Sequence, residues 1–134
     1  MSTGETSRTR DIIDEVRSPI LIVDDDADIR AALQHVLESA GYPTIQAPDG
    51  RAALTTARSQ PPGLVLLDLM MPVMDGWAFL LERQRHPDLS SVPVIVLSAH
   101  LKGPRGVPSG ANAYLAKPFD TDELLTLIAS LYRA

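Results

Sequence analysis

The sequence predicts an α/β fold, with helices packed around a five-stranded parallel sheet. Three observations carry this prediction. The runs Ile20-Leu21-Ile22-Val23, Leu64-Val65-Leu66-Leu67 and Val92-Pro93-Val94-Ile95-Val96-Leu97 are short and apolar on both faces, as strands buried inside a parallel sheet must be. Stretches with apolar residues at helical spacing lie between them. Strand and helix alternate along almost the whole chain, which asks for right-handed crossovers. A chain of 134 residues suffices for one domain with a single buried core.

Residues 1–17 are polar, mixed in charge and rich in Gly, Ser and Thr, and read as a flexible extension ahead of a folded domain at 18–134. Ile12, Ile13 and Val16 could share one side of two helical turns, too short a helix to stand alone. Pro19 opens strand one at 20–23, which ends on Asp24-Asp25-Asp26. Asp26 is placed to cap helix one, with Asp28 in its first turn. Ile29, Leu33, Val36, Leu37 and Ala40 give that helix a buried stripe, and Gly41 sits where a left-handed terminator belongs. Thr44-Ile45-Gln46-Ala47 alternates like an edge strand, and Asp49-Gly50 turns into an Ala-rich helix at about 51–59.

Strand three, bounded by Pro61-Pro62-Gly63, ends on a carboxylate, Asp68. Pro72 and Asp75-Gly76 make a turn, and helix three runs from Trp77 to about Arg85, where His86-Pro87 stops it. Strand four, 92–97, leads to Ser98-Ala99-His100, and strand five, 113–116, leads to Lys117-Pro118. Asp120 or Thr121 caps the last helix, whose Leu124, Leu127, Ile128 and Leu131 face inward. Trp77 and Phe79 read as packing residues, His35 and His86 as surface ones.

Composition narrows the chemistry. Without cysteine there is no disulfide framework, thiolate metal site or thiol nucleophile, which suits the cytoplasm. The formal net charge is −5 and no run of Lys or Arg forms a basic stripe, so nucleic-acid and anionic-membrane binding are disfavoured. No apolar stretch approaches the ~20 residues that span a bilayer. The N-terminus lacks the layout of a signal peptide.

In a parallel sheet every strand delivers its C-terminal end to one edge, where such folds put their sites. Those ends carry Asp24 and Asp25 from strand one, Asp68 from three, Ser98 from four and Lys117 from five. Singly, each has a plain explanation: a loop or capping acid, a turn serine, a surface lysine. Jointly, three carboxylates repel one another unless a cation intervenes. A hard divalent ion fits oxygen ligands, and Mg2+ keeps positions open for water and a phosphoryl oxygen; no His or Cys is spaced to recruit zinc. Asp68 could then attack phosphorus as a carboxylate nucleophile, with Lys117 and Ser98 holding the remaining phosphoryl oxygens. Ala99 leaves room for the group to enter.

Ile22-Val23-Asp24-Asp25-Asp26, Leu67-Asp68-Leu69-Met70-Met71-Pro72-Val73-Met74-Asp75-Gly76, Leu97-Ser98-Ala99 and Tyr114-Leu115-Ala116-Lys117-Pro118-Phe119 together resemble the receiver domain of two-component response regulators, over about residues 18–133. The resemblance implies a doubly wound, flavodoxin-like sheet of order 2-1-3-4-5 and a cis bond between Lys117 and Pro118. It implies that Asp68 accepts a phosphoryl group from a histidine kinase or phosphotransfer protein. Asp25, Asp68 and the backbone carbonyl of Met70 would bind Mg2+ directly, with Asp24 helping partly through water. Ser98 and Tyr114 would form the switch, and Met70 and His100 would tune the lifetime of the acyl phosphate.

One segment departs from the family, which places a helix between strands four and five. Here residues 99–112 include Gly103, Pro104, Gly106, Pro108 and Gly110, which together oppose a helix by roughly 8 kcal/mol. A loop with at most one helical turn is expected, ordered or released by phosphorylation with Tyr114 following. The chain reaches Ala134 without an effector domain, so a stand-alone receiver is expected, catalysing only its own phosphorylation and dephosphorylation. The downstream target is unspecified. Two rivals remain open: a small Mg2+-dependent phosphohydrolase using an aspartyl-phosphate, and a pseudo-receiver that binds partners without chemistry. The hydrolase would want a second acid two residues after Asp68, where Met70 stands.

Overall fold

The computed structural model describes residues 17–99 and 108–134. Strands β1 (Ile20–Val23), β2 (Thr44–Ala47), β3 (Leu64–Leu67), β4 (Val94–Ser98) and β5 (Ala113–Ala116) form one sheet in the order β2-β1-β3-β4-β5, every neighbouring pair parallel. This is the predicted order, and the Lys117–Pro118 bond is cis as expected. Helices α1 (Ala27–Ser39), α2 (Gly50–Ser59), α3 (Gly76–Arg83), α4 (Pro87–Ser90) and α5 (Thr121–Leu131) complete the described elements.

Successive strand residues face opposite sides, so each central strand feeds two cores. Leu21, Val23, Val65, Leu67, Val94 and Val96 pack with Ala53 and Ala57 of α2, Phe79 and Leu80 of α3 and Leu89 of α4. Ile20, Ile22, Leu64, Leu66, Ile95 and Leu97 pack with Leu33 and Leu37 of α1 and with Leu124 and Ile128 of α5. The single expected core is therefore two clusters divided by a doubly wound sheet. Both faces being covered explains why β1, β3 and β4 read as unbroken apolar runs while β2, at the edge, alternates.

Aspartates start four of the five described helices. Asp26 accepts from the Asp28 and Ile29 amides, Asp49 from Ala52, Asp75 from Ala78 and Asp120 from Asp122, each cap contributing about 1 kcal/mol. Gly41 ends α1 at φ +96°, donating to Glu38 O while Tyr42 donates to Leu37 O. That paired closure is the Schellman termination, and its left-handed residue favours glycine.

Three expectations need correction. Helix α3 ends at Arg83, two residues early, and Pro87 starts the new turn α4, since a proline at the first helical position gives up only an amide that would be orphaned anyway. Strand β4 begins at Val94, not Val92, and runs on through Ser98. Ala40 caps α1 and is exposed, because the stripe ends with the last helical turn. Leu127 and Leu131 face inward as expected, packing partly buried against the second cluster. Of the 99–112 segment, Ala99 and residues 108–112 carry no helix; residues 100–107, His100 among them, and the 1–16 stretch lie outside the described residues.

Candidate functional site

The register aligns the strand ends. Val23 lies opposite Ala47 and Leu67, Leu67 opposite Val96, and Ser98 opposite Ala116. The next residues along β1, β3 and β5 are therefore Asp24, Asp68 and Lys117, on one rim. Asp24 and Asp68 are buried and Asp25 is exposed. One carboxylate oxygen from each lies within 4.8 Å of the other two. Lys117 Nζ sits 3.0 Å from Asp24 Oδ2 and 3.8 Å from Asp68 Oδ1. The remaining bonds fix orientation: Asp24 Oδ1 accepts the Asp26 amide at 2.9 Å, and Asp68 Oδ1 its neighbour's, Leu69, at 2.9 Å. Ser98 is fully buried at the end of β4, and its carbonyl accepts the Lys117 amide at 3.1 Å, tying the ends of β4 and β5.

Burial pushes the Asp68 carboxyl above its ordinary value; Lys117 pulls it down, the Asp24 carboxylate pushes it up, the Leu69 amide lowers it, and Asp25 raises it. The cost of burying this carboxylate is thus only partly offset by the one lysine. Opposite ligands of an octahedral Mg2+ lie ~4 Å apart, so oxygens already within 4.8 Å need little movement to share such an ion. The donor set is all oxygen, which suits a hard cation.

The loop after Asp68 folds back on itself. Gly76, first residue of α3, donates its amide to Leu69 O at 2.9 Å. A Cβ there would lie 2.6 Å from the Asp68 carbonyl oxygen and 2.8 Å from Leu69 Cα, so only glycine lets the helix start this close to the acid's backbone. Met70 stands half exposed at the rim. Tyr114 is half buried, packs against the cluster on the α2–α3 side, and donates its hydroxyl to Pro108 O. Phe79 is buried and Trp77 packs beside the same cluster, as expected of packing residues. Among the described site residues the structure brings Asp24, Asp25, Asp68 and Lys117 into one patch with Ser98 at its edge; Tyr114 sits lower, on β5.

Sequence reasoning missed two arginines. Arg30 Nη1 donates to the Asp24 carbonyl at 2.6 Å, and Arg83, buried, donates to Val92 O at 2.6 Å and Gly110 O at 3.1 Å. Both bind backbone carbonyls, which leave no signature in side-chain patterns. The only hint was a charge set among the apolar positions of α1 and α3.

The response regulator receiver domain profile matches residues 20–129. The chain belongs to the response regulator receiver domain family. Receiver domains of this family are signalling domains of two-component systems. The chain is 38% identical over 117 residues to the DNA-binding dual master transcriptional regulator RpaA of Synechocystis, covering 85% of this chain and 48% of RpaA. The receiver thus spans about half the length of that relative. Among solved structures, the receiver domain of sensor histidine kinase PA1611 from Pseudomonas aeruginosa, with a magnesium ion coordinated in its active site cleft, superposes with TM-score 0.80 at 32% identity, covering 87% of this chain and 98% of that one. The response regulator TrrA from Thermotoga maritima in complex with Mg2+ and BeF gives 0.77 at 31% identity, covering 85% and 98%. RpaA's name bears on the expectation that nucleic acid plays no part: it gains no support, because a longer relative is a DNA-binding regulator.

Proposed function

We propose that Asp68 is the phosphoacceptor, taking a phosphoryl group from the phosphohistidine of a histidine kinase or phosphotransfer protein. The observation that carries this reading is the lysine amine lying 3.0 Å from Asp24 and 3.8 Å from Asp68, beside carboxylate oxygens close enough to share one cation. An Asp68 oxygen forms the new bond to phosphorus while the phosphorus–nitrogen bond of the donor breaks and the imidazole nitrogen keeps the electron pair. Asp24, Asp25, Asp68 and the Met70 carbonyl would hold Mg2+, which when bound would neutralise the acids and polarise the phosphoryl oxygens. Lys117 and Ser98 take the oxygens that remain, and Lys117 holds Asp68 in its charged, nucleophilic form. Support for Mg2+ comes from the all-oxygen donor set and from PA1611 and TrrA, whose structures contain it.

The donor docks beside Lys117. There an apolar groove of about 320 Å³ runs between Ile29, Leu33 and Val36 of α1 and the Pro118–Phe119 turn, suited to an amphipathic helix carrying the phosphohistidine. Tyr114 and Ser98 relay the modification, while Met70 and His100 set its lifetime. The domain catalyses nothing beyond its own phosphorylation and dephosphorylation. Its work is cytoplasmic; among the described residues no helix is long and apolar enough to cross a membrane.

Incubation with labelled acetyl phosphate and Mg2+ tests this reading. One stable label per chain is expected, lost on chelation of Mg2+ beforehand and in Asp68→Asn. Rapid turnover of many phosphoesters would point instead to a phosphohydrolase, and absence of label to a pseudo-receiver.

A further inference from the structure

Asp24 leaves the sheet one residue after β1 ends, so its carbonyl has passed beyond the strand ladder. A polar rail picks it up. Arg30, one turn into α1, donates Nη1 to that carbonyl at 2.6 Å and Nε to Gln46 Oε1 on β2 at 3.1 Å. Gln46 Nε2 donates to Gln34 Oε1 at 2.7 Å, and Gln34 Nε2 to Glu38 Oε2 at 3.2 Å. Thr44 Oγ1, at the other end of β2, donates to the same Glu38 oxygen at 2.8 Å. Five side chains therefore stitch α1 to the edge strand and end on the peptide that joins two of the three clustered acids. The Thr44 and Gln34 bonds hold the Glu38 carboxyl below its ordinary value, so its negative end of the rail persists in mildly acidic solution.

We infer that Arg30 is a positioning residue for the cation site: through the Asp24 carbonyl it fixes the peptide that sets the direction of Asp25. Asp25 is exposed, so its direction depends on its backbone more than on packing. Asp24, by contrast, is buried and held by Lys117 and the Asp26 amide. The planar guanidinium suits the task because it donates two bonds from one rigid fork, at once to the loop and to the edge strand. Arg30 touches neither phosphoryl group nor metal; it acts on the ligand set from behind.

Charge and position make opposite predictions. A cation bonded beside the acids repels Mg2+, so if charge were all that mattered, removing Arg30 would tighten Mg2+ binding. If Arg30 positions Asp25, its removal loosens the ligand set and weakens binding, and supporting residues behind metal ligands typically change affinity ~10–100-fold. The inference rests on the reading of Asp24, Asp25 and Asp68 as Mg2+ ligands.

Isothermal titration with MgCl2, on the full chain, separates the cases. Arg30→Met is expected to raise the Mg2+ Kd about tenfold, with Arg30→Lys recovering part of the loss. Gln46→Ala, which cuts the second bond of the fork while keeping the charge, should raise it by a smaller factor. Thermal unfolding in chelator records any purely structural cost, which would lower the midpoint and leave Kd alone. Unchanged or tighter binding by folded Arg30→Met overturns the inference; if that variant does not fold, unchanged binding by Gln46→Ala does. Failure of the unsubstituted chain to bind Mg2+ would strike the ligand assignment itself, a distinct result.

Discussion

Replacing Gly76 by alanine puts two opposing effects on the same residue. Alanine in a helix is favoured over glycine by about 0.5–1 kcal/mol, because less backbone freedom is lost on folding. Against that stands the new methyl, 2.6 Å from Asp68 O, 2.8 Å from Leu69 Cα and 2.9 Å from Leu69 Cδ2. These contacts lie well inside the ~3.5 Å at which carbon atoms attract. Two of the three atoms are backbone in a buried, hydrogen-bonded loop, so they cannot swing away as a side-chain tip could. Overpacking of this kind costs about 1–3 kcal/mol. The clash wins, and a net loss of about 1–2 kcal/mol should lower the melting midpoint by roughly 3–10 °C for a chain of this size. Because the displaced atoms belong to Asp68 and its neighbour, labelling by acetyl phosphate should slow as well. Urea denaturation and an initial-rate measurement on the same preparation read both effects. A Gly76→Ala chain as stable and as fast as the original would refute the reasoning, since it would mean the loop relaxes without disturbing the acid.

Lys117→Met should cost roughly 1–3 kcal/mol in metal-free buffer, as the buried Asp24 carboxylate loses its charged partner, and should slow phosphorylation; full retention of both by denaturation and labelling would contradict the site. The raised Asp68 pKa gives a pH dependence. The folded state holds that proton more tightly than the unfolded one, so in chelator stability should fall as pH rises from the ordinary value of 3.8 through the raised folded value. Asp68→Asn should flatten that slope in urea titrations across pH, and an unaltered slope would assign it elsewhere. Val73 adopts φ +67° while 74% exposed. Val73→Asn, which tolerates the left-handed region, should gain about 1 kcal/mol and raise the melting midpoint by a few degrees; an unchanged midpoint would mean the strain is absorbed elsewhere.

The sheet was legible because its signal is local. Short runs of four apolar residues between turn signals suit strands covered on both faces, and the acids after β1 and β3 and the lysine after β5 mark where those strands leave the sheet. Asp26 and Gly41 were legible for a similar reason: capping by a short carboxylate and termination by a left-handed residue each depend on one position. Arg30 and Arg83 were not, since their partners are the carbonyls of Asp24, Val92 and Gly110, identical in every sequence. Helix α4 was missed because Pro87 punctuates equally well as a stop or a start; buried Leu89 decides it, and that needs the tertiary structure. Gly76 read as a turn residue, whereas its role is a close approach between segments that only coordinates can reveal.

The most direct test asks which atom carries the phosphoryl group. After reaction with acetyl phosphate and Mg2+, borohydride reduces an aspartyl phosphate to homoserine, and tandem mass spectrometry locates that change in the chain. Conversion at residue 68 alone, abolished by omitting Mg2+, is the expected result. Conversion at Asp24 or Asp25, or none in a folded chain that binds Mg2+, would contradict the account.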